Sequence, residues 1–306
     1  MIPSIKVVGV GGSGSNTVSR IAKANIASVE LIAVNTDAQA LHFSKAQKKI
    51  LIGKNLTEGL GTGMDANLGR LSAEENKEEI KETLKGADMV FVTCGLGGGT
   101  GSGAAPVVAE IAKGMGILTV AVVTTPFSFE GLERKKIAEA ALKNLKEKVD
   151  SLLIISNDKL LKVIDEKTTV QNAFSICDDV LSQAVQGIAD LILVPGIINI
   201  DFASVVAILK NSGQALFGVG RAAGENRAVQ AAQIAINSPL VDYSIQGSKG
   251  VLFLASGQGI TLNEIQEAAN IITKNVDPRA QIIFGAIADN NLKKGELKIT
   301  TIATKL

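Results

Sequence analysis

The sequence predicts an α/β protein: a Rossmann-like parallel sheet covered by helices, joined through a long helix to a second α+β domain with a mixed sheet. Three observations carry this expectation. Hydrophobic residues make up 46% of the chain and aromatics only 3%, so the core must be built from Val, Ile, Leu and Ala, the side chains of buried parallel strands. Apolar runs of strand length recur through the first half, separated by helix-length stretches of mixed polarity. Two glycine-rich segments, residues 9–14 and 97–103, each follow such a run and precede a helical pattern.

At 306 residues the chain exceeds the usual size of one hydrophobic core, so two apposed domains are expected. Strands are predicted over residues 5–10, 30–35, 89–93, 118–124 and 152–155, which reads as repeated βα units with ligands gathered at the carboxyl ends of the strands. Residues 71–85 read as a helix with a solvated face, opened by Ser72 and Glu75 in capping-box spacing. From 170 to 192 the apolar positions follow three-and-four spacing with few breakers, which predicts one long helix, more than half buried. After Pro195 and Gly196 come predicted helices at 204–210 and 262–274 and strands at 214–220, 250–255, 280–288 and 297–304. The expected division is residues 1–169 for a nucleotide-binding domain, 170–194 for a central helix and 195–306 for the second domain.

Lys and Arg number 31 against 30 Asp and Glu, leaving a net charge of +1. No overall field recruits nucleic acid or an anionic membrane, so an anion has to be bound locally. Cys94 and Cys177 are far apart and match no zinc or redox spacing, which predicts reduced, buried thiols and a cytoplasmic protein without a metal site of its own. The lone histidine, His42, has no partner pattern and reads as a structural or surface residue. No export signal is legible at the amino terminus and no apolar run spans a membrane, so a soluble protein without direct membrane insertion is expected.

The first glycine segment fits G-x-G-x-x-G, and Asp37 lies near the end of the second predicted strand; alone, this suggests a dinucleotide-dependent oxidoreductase. Glycine lets the backbone approach phosphate, and the helix that follows points free N–H groups at the anion. The second segment argues against the oxidoreductase, which uses one such loop for its pyrophosphate. Two strand-to-helix loops would bring two helix amino termini to one polyphosphate, the second helix running from about residue 104 to 113. A flexible turn is the bland alternative for such a glycine run. Neither loop carries the lysine of a P-loop, so helix ends, backbone amides and Mg²⁺ must offset the charge.

The motif GGGTGSG at 97–103 resembles the G-G-G-T-G-[ST]-G signature of the tubulin/FtsZ family, and its flanks, GADMVFVTCGL from Gly86 and AAPVV from Ala104, resemble the FtsZ branch. AVNTDAQAL at 33–41, TPFSFEG at 125–131, NAF at 172–174, AVQGI at 184–188, GENRA at 224–228 and TIAT at 301–304 resemble further family segments in the right order. The resemblance implies a GTPase that binds GTP or GDP with Mg²⁺. Around the phosphates and ribose it implicates Gly11, Gly12, Ser13, Asn16, Asn35, Gly61, Gly63, Gly97, Gly98, Gly99, Thr100, Gly101, Ser102, Glu130 and Arg134. It places Phe174 as a stacking platform for the base and Asn157 against base or ribose. Choosing guanine requires acceptors facing its N1–H and exocyclic amine. Asp178, one turn beyond Phe174, suits that task; a solvated helix residue is the alternative.

In this family a loop after the central helix completes the site on the next subunit. The resemblance therefore implies head-to-tail homopolymers, hydrolysis at the subunit interface, and assembly in the cytoplasm at the division site. The family loop N-x-D-F-A-D reads here Asn199, Ile200, Asp201, Phe202, Ala203, Ser204. Asn199 and Asp201 remain as catalytic candidates, but serine replaces the second aspartate, and it neither carries charge nor takes a proton from water at neutral pH. Helix capping is the alternative role for both Asp201 and Ser204, since a helix follows, and it is the expected one for Ser204. Slow turnover follows as an expectation, with a GTP-bound structural filament as the alternative. The family's division-ring tethers and regulators bind through a tail, which this sequence, stopping at Leu306, does not include; tail-dependent binding is not expected of it.

Overall fold

The structure, a computed structural model, describes residues 2–24, 29–161, 164–165, 167–237, 245–290 and 292–305. They form, in chain order, β1 Ile5–Val10, α1 Gly11–Ala24, β2 Val29–Asn35, α2 Ala38–Phe43, β3 Lys48–Leu51, α3 Lys54–Thr57, α4 Ala66–Glu75, α5 Lys77–Leu84, β4 Met89–Gly95, α6 Gly99–Gly114, β5 Leu118–Thr125, a 3₁₀ turn Ser128–Glu130, α7 Leu132–Lys148, β6 Ser151–Ser156 and α8 Asn157–Leu160. There follow α9 Val170–Leu193, α10 Phe202–Leu209, β7 Gly213–Ala223, α11 Arg227–Ile236, β8 Gly250–Gly257, α12 Leu262–Thr273, β9 Gln281–Ala288 and β10 Glu296–Thr304. The chain divides into two compact units, residues 1–186 and 187–306, and the boundary falls inside α9.

In the first unit the strand order is β3-β2-β1-β4-β5-β6, and each of these pairs is parallel. β1 and β4 are buried on both faces almost throughout, as their predominantly apolar sequences allow. One cluster of buried aliphatic residues joins Val8, Val10, Ile32, Val92 and Val123 of the strands to Ile80, Val108, Ile111 and Leu145 of the helices. Sequence order reverses between β1 and β4, the topological switch point at which open α/β sheets form their ligand crevice.

Two sequence expectations change here. The predicted helix 71–85 is two helices, broken at Asn76. Ser72 caps nothing: it is buried inside α4 and its hydroxyl donates to the Leu68 carbonyl at 2.7 Å. Asp65 is the cap, its carboxylate accepting from the N–H groups of Asn67 and Leu68 at 2.8 and 3.1 Å. The other change is α6, which starts at Gly99 inside the glycine motif. That motif is thus largely a first helical turn, and its glycines let α4 press against it. A Cβ on Gly103 would lie 2.0 Å from the Ala66 carbonyl oxygen, and one on Gly69 2.5 Å from that of Gly99.

The second unit pairs β7 with β10 and β10 with β8 antiparallel, and β8 with β9 parallel, the mixed sheet that was predicted. Its core sets Phe253, Leu297 and Ile299 against Ala231, Ala235, Ala268 and Ile272 of α11 and α12. The first turns of these two helices are joined by a charged clamp. Arg227 Nε donates to Glu264 Oε1 at 2.5 Å and Nη2 to Oε2 at 3.2 Å, while the same carboxylate accepts from the Thr261 N–H as the return arm of a capping box. Arg227 holds the Glu264 carboxyl below its ordinary range.

Because backbone stands in the way, Gly103→Ala is expected to force α4 and α6 apart and to lower stability by about 2 kcal/mol, read as the midpoint of urea unfolding. Arg227→Met removes the cation while Glu264 keeps its bonds to Thr261, and is expected to cost about 1 to 2 kcal/mol, more than Arg227→Met combined with Glu264→Leu, in a double-mutant cycle by the same measurement.

Candidate nucleotide site

Because β1 and β4 are neighbours, the helices that follow them begin side by side. α1 starts at Gly11 directly from β1, and α6 starts at Gly99, four residues beyond the end of β4. The approach is close: Gly11 takes a left-handed φ of +73°, and a Cβ there would meet the Gly101 N at 3.0 Å. Gly14 is packed under Thr93, whose carbonyl oxygen would lie 2.5 Å from a Cβ. Between the two helix starts opens a cavity of about 270 Å³, walled entirely by the first unit. N–H groups at both helix starts have no intrahelical acceptor and so suit an anion.

Gly11, Gly12, Ser13, Gly98, Gly99, Thr100, Gly101, Glu130, Arg134, Asn157, Phe174 and Asp178 all line this cavity. Thr62, Thr124, Pro126 and Cys177 line it as well, and the sequence marked none of them as a site residue. Thr62 stands between the predicted Gly61 and Gly63, whose positive φ values of 86° and 54° turn the chain so that the threonine faces inward while they do not. Its hydroxyl lies 3.3 Å from that of Thr100, which lies 2.7 Å from that of Thr36. A chain of hydroxyls thus backs the start of α6, and threonines flanked by glycines were the available signal.

Four other predicted residues act one step behind the wall. Asn35 turns its carboxamide oxygen onto the N–H groups of Thr36 and Asp37 at 2.9 and 3.3 Å, shaping the exit from β2. Ser102 Oγ accepts from the Gly97 N–H at 2.9 Å and closes the glycine turn, so both residues serve the loop's shape. Asn16 opens onto a neighbouring polar cavity that shares Phe174 and Asp178 with the first.

Phe174 is edge-on to Phe127, with ring centroids 5.2 Å apart, and is 39% exposed, which leaves a face for a flat ligand. Across the cavity Asn157 is buried, and its Oδ1 has no hydrogen-bond partner among the described residues. A buried acceptor without a donor calls for one from a ligand. Glu130 accepts from the Phe127 N–H at 2.9 Å and pairs with Arg134 Nη1 at 3.0 Å, a carboxylate and guanidinium at the rim.

Asp178 is buried, not the solvated helix residue of the alternative reading. Burial pushes its carboxyl up to about 6, against the lowering effects of Arg20 and of the Ser13 hydroxyl, which donates to Oδ1 at 3.3 Å. The negative charge of Asp179 raises it further. Burial likewise pushes the Cys177 thiol up to about 12, which rules it out as a nucleophile at neutral pH.

Asn199, Asp201 and Ser204 belong to the second unit. Capping there falls to Asp201 and not, as expected, to Ser204: Asp201 Oδ1 accepts from the Ser204 N–H at 2.6 Å, and hydrogen bonds from the Ser204 side chain and backbone hold its carboxyl below the ordinary range. The physical reason is position, since Asp201 precedes the first helical residue and Ser204 is the third within α10. Asn199 Oδ1 accepts from the Gly196 N–H at 2.7 Å and folds the preceding turn. Among the described residues no group of three or more His, Cys, Asp or Glu side chains could hold a metal ion, and no helix is long and apolar enough to cross a membrane.

Residues 4–165 match the Tubulin/FtsZ family GTPase domain, and residues 213–306 match the FtsZ family C-terminal domain. An empty FtsZ dimer from M. jannaschii is 46% identical, with a TM-score of 0.95 over 99% of this chain and 88% of that one. The fold extends to two Haloferax volcanii proteins of lower identity. One is CetZ2, solved as a GTPγS-bound protofilament, with 22% identity and a TM-score of 0.83 over 98% of this chain and 92% of that one. The other is CetZ1, a GDP-bound monomer, with 21% identity and a TM-score of 0.86 over 99% and 94%.

The raised Asp178 carboxyl carries a stability signature. Between the ordinary aspartate range and pH about 6 the folded protein holds a proton that the unfolded chain has released, so this contribution is complete below that window and is lost as pH rises through it. Nucleotide-free Asp178→Asn is therefore expected to match the native protein at pH 4 and to exceed it by about 1 to 3 kcal/mol at pH 8, measured by urea unfolding.

Proposed function

The chain belongs to the tubulin/FtsZ family of GTPases, and we propose that it binds GTP between the starts of α1 and α6, assembles head to tail, and hydrolyses GTP to GDP and phosphate at the contact between subunits. The observation that carries this reading is the single cavity with two helix amino termini at one end and a buried carboxylate, Asp178, at the other. N–H groups from Gly11 to Ser13 and from Gly99 to Gly101 would cradle the phosphates, helped by the Thr62 and Thr100 hydroxyls. Phe174 would stack on the base, and ionised Asp178 would accept from guanine N1–H and N2–H while repelling the acceptor N1 of adenine. The unpartnered Asn157 oxygen would take a donor from base or ribose. These walls offer no carboxylate cluster to an ion, so Mg²⁺ fits as a companion of the nucleotide, held by phosphate oxygens and water with the threonine hydroxyls in reach. When bound it would neutralise phosphate charge.

Asn199 and Asp201 of the following subunit would orient the attacking water. Exposed, with a lowered pKa, Asp201 stays ionised at neutral pH but is a weak base, so it serves to orient more than to deprotonate. Ser204 supplies no second carboxylate. Slow turnover follows, and the commitment of Asp201 to the α10 cap supports the second reading, a GTP-bound filament with negligible hydrolysis. The family points to the cell-division ring as the cellular role and to the cytoplasm as its place; ring tethers and regulators are the partners that role implies, beside the chain itself.

Calorimetry is expected to show binding of GTP and GDP and none of NAD. Phosphate release should stay near zero below a threshold protein concentration and rise above it. Ser204→Asp should raise the plateau rate about 10²-fold, and Asp201→Ala should abolish it. A rate per subunit that is brisk, independent of concentration and unmoved by Ser204→Asp would overturn the proposal of a shared, attenuated site.

A further inference from the structure

Arg20 lies on α1 outside the nucleotide cavity, yet its guanidinium is committed to one turn of α9. Nη1 pairs with Asp179 Oδ1 at 2.6 Å, Nη2 donates to Ser175 Oγ at 2.7 Å, and Nε stands 3.9 Å from Asp178 Oδ2. Residues 175, 178 and 179 share one helix face by their three-and-four spacing. Arg20 reaches them from the neighbouring polar cavity of about 390 Å³, which meets the nucleotide cavity at Phe174 and Asp178.

We propose that Arg20 is a positioning residue for purine selection: it straps α1 to this turn of α9 and holds Asp178 as an anion aimed at the base. The inference rests on the reading of Asp178 as the guanine acceptor. The division of contacts explains how. Asp179, half exposed, takes the short ion pair and fixes the guanidinium head. The longer approach to Asp178 supplies charge without a direct hydrogen bond, and Ser13 donates to its other oxygen, so acceptor positions remain for a ligand.

The surroundings make that charge decisive. Facing Asp178 are Ser13, Arg20 and Lys23 on α1, Cys177 and Asp179 on α9, and Glu130 with Arg134 across the nucleotide cavity. Asp179 adds repulsion, and Glu130 has Arg134 as its own partner. Among the described cations, Arg20 is the one in ion-pair distance of Asp178. With its charge removed, burial acts with less opposition and the carboxyl takes up a proton near neutral pH. A protonated Asp178 presents a donor where guanine needs acceptors.

The test is GDP binding by calorimetry from pH 5.5 to 9, with GDP chosen because it needs no hydrolysis. Native affinity should fall as pH drops through about 6. Arg20→Met should move that fall upward by about one pH unit, binding about twofold more weakly than native at pH 7, nearly tenfold more weakly at pH 5.5, and alike at pH 9. Arg20→Lys, which keeps a charge but loses the fork, should lie between. A purely structural strap would weaken binding equally at every pH, and that result, or an unmoved profile in both variants, overturns the proposal. Should Arg20→Met not fold, the Arg20→Lys profile decides alone. Asp178→Asn separates the underlying reading: it should lose GDP and gain xanthosine diphosphate, whose 2-carbonyl accepts from the amide. GDP binding unchanged in Asp178→Asn would reject the guanine acceptor itself, whatever Arg20 does.

Discussion

The close approach of two helix starts over the β1 and β4 edges is the constraint on which the rest of the first unit depends. Parallel neighbours release their chains at the same end of the sheet, the chain from β1 turning at once into a helix and that from β4 after a short glycine turn. Side chains at the contact would hold the helices apart, since a Cβ on Gly11 would come to 3.0 Å from the Gly101 backbone and one on Gly101 to 2.6 Å from the Gly95 oxygen. Glycine at these positions brings unpaired N–H groups of both helices to one space. Two weak partial charges then act together where the chain offers no P-loop lysine.

The same economy of side chains governs the packing behind that space. Gly69 and Gly103 let α4 ride directly on α6, and so carry Thr62, just before α4, to the cavity wall. At the opposite end the ligand space is closed by α9, whose Phe174 and Asp178 lie one turn apart. In the proposed reading, phosphate recognition would thus be a property of backbone geometry, and base recognition one of side chains on a single helix.

The two aspartates at the centre of the functional reading live in opposite environments. Burial raises Asp178, so its charge depends on what stands around it; hydrogen bonds lower Asp201, so its charge is secure but weakly basic. A base-reading acceptor can work near its limit because binding needs only geometry and an anion. Ser204 gives its N–H and hydroxyl to Asp201, so in the proposed reading Asp201 would orient water without a second charge beside it.

Strand periodicity and glycine spacing made much of this legible in advance, because burial on both faces leaves long aliphatic runs and close backbone approach leaves only glycine. β3 escaped notice since it has four residues, two of them exposed lysines, as suits a sheet edge. α11 escaped because its core face is mostly alanine. Sequence alone determined the two strand-to-helix loops, the Phe174 and Asp178 pair on one helix and the loss of a carboxylate at Ser204, since each depends on local spacing or residue type. Tertiary structure alone decided that Thr62 meets Thr100 in the cavity wall and that Arg20 reaches Asp178 across 158 positions. Those are distances between residues remote in the chain, and no local pattern encodes them.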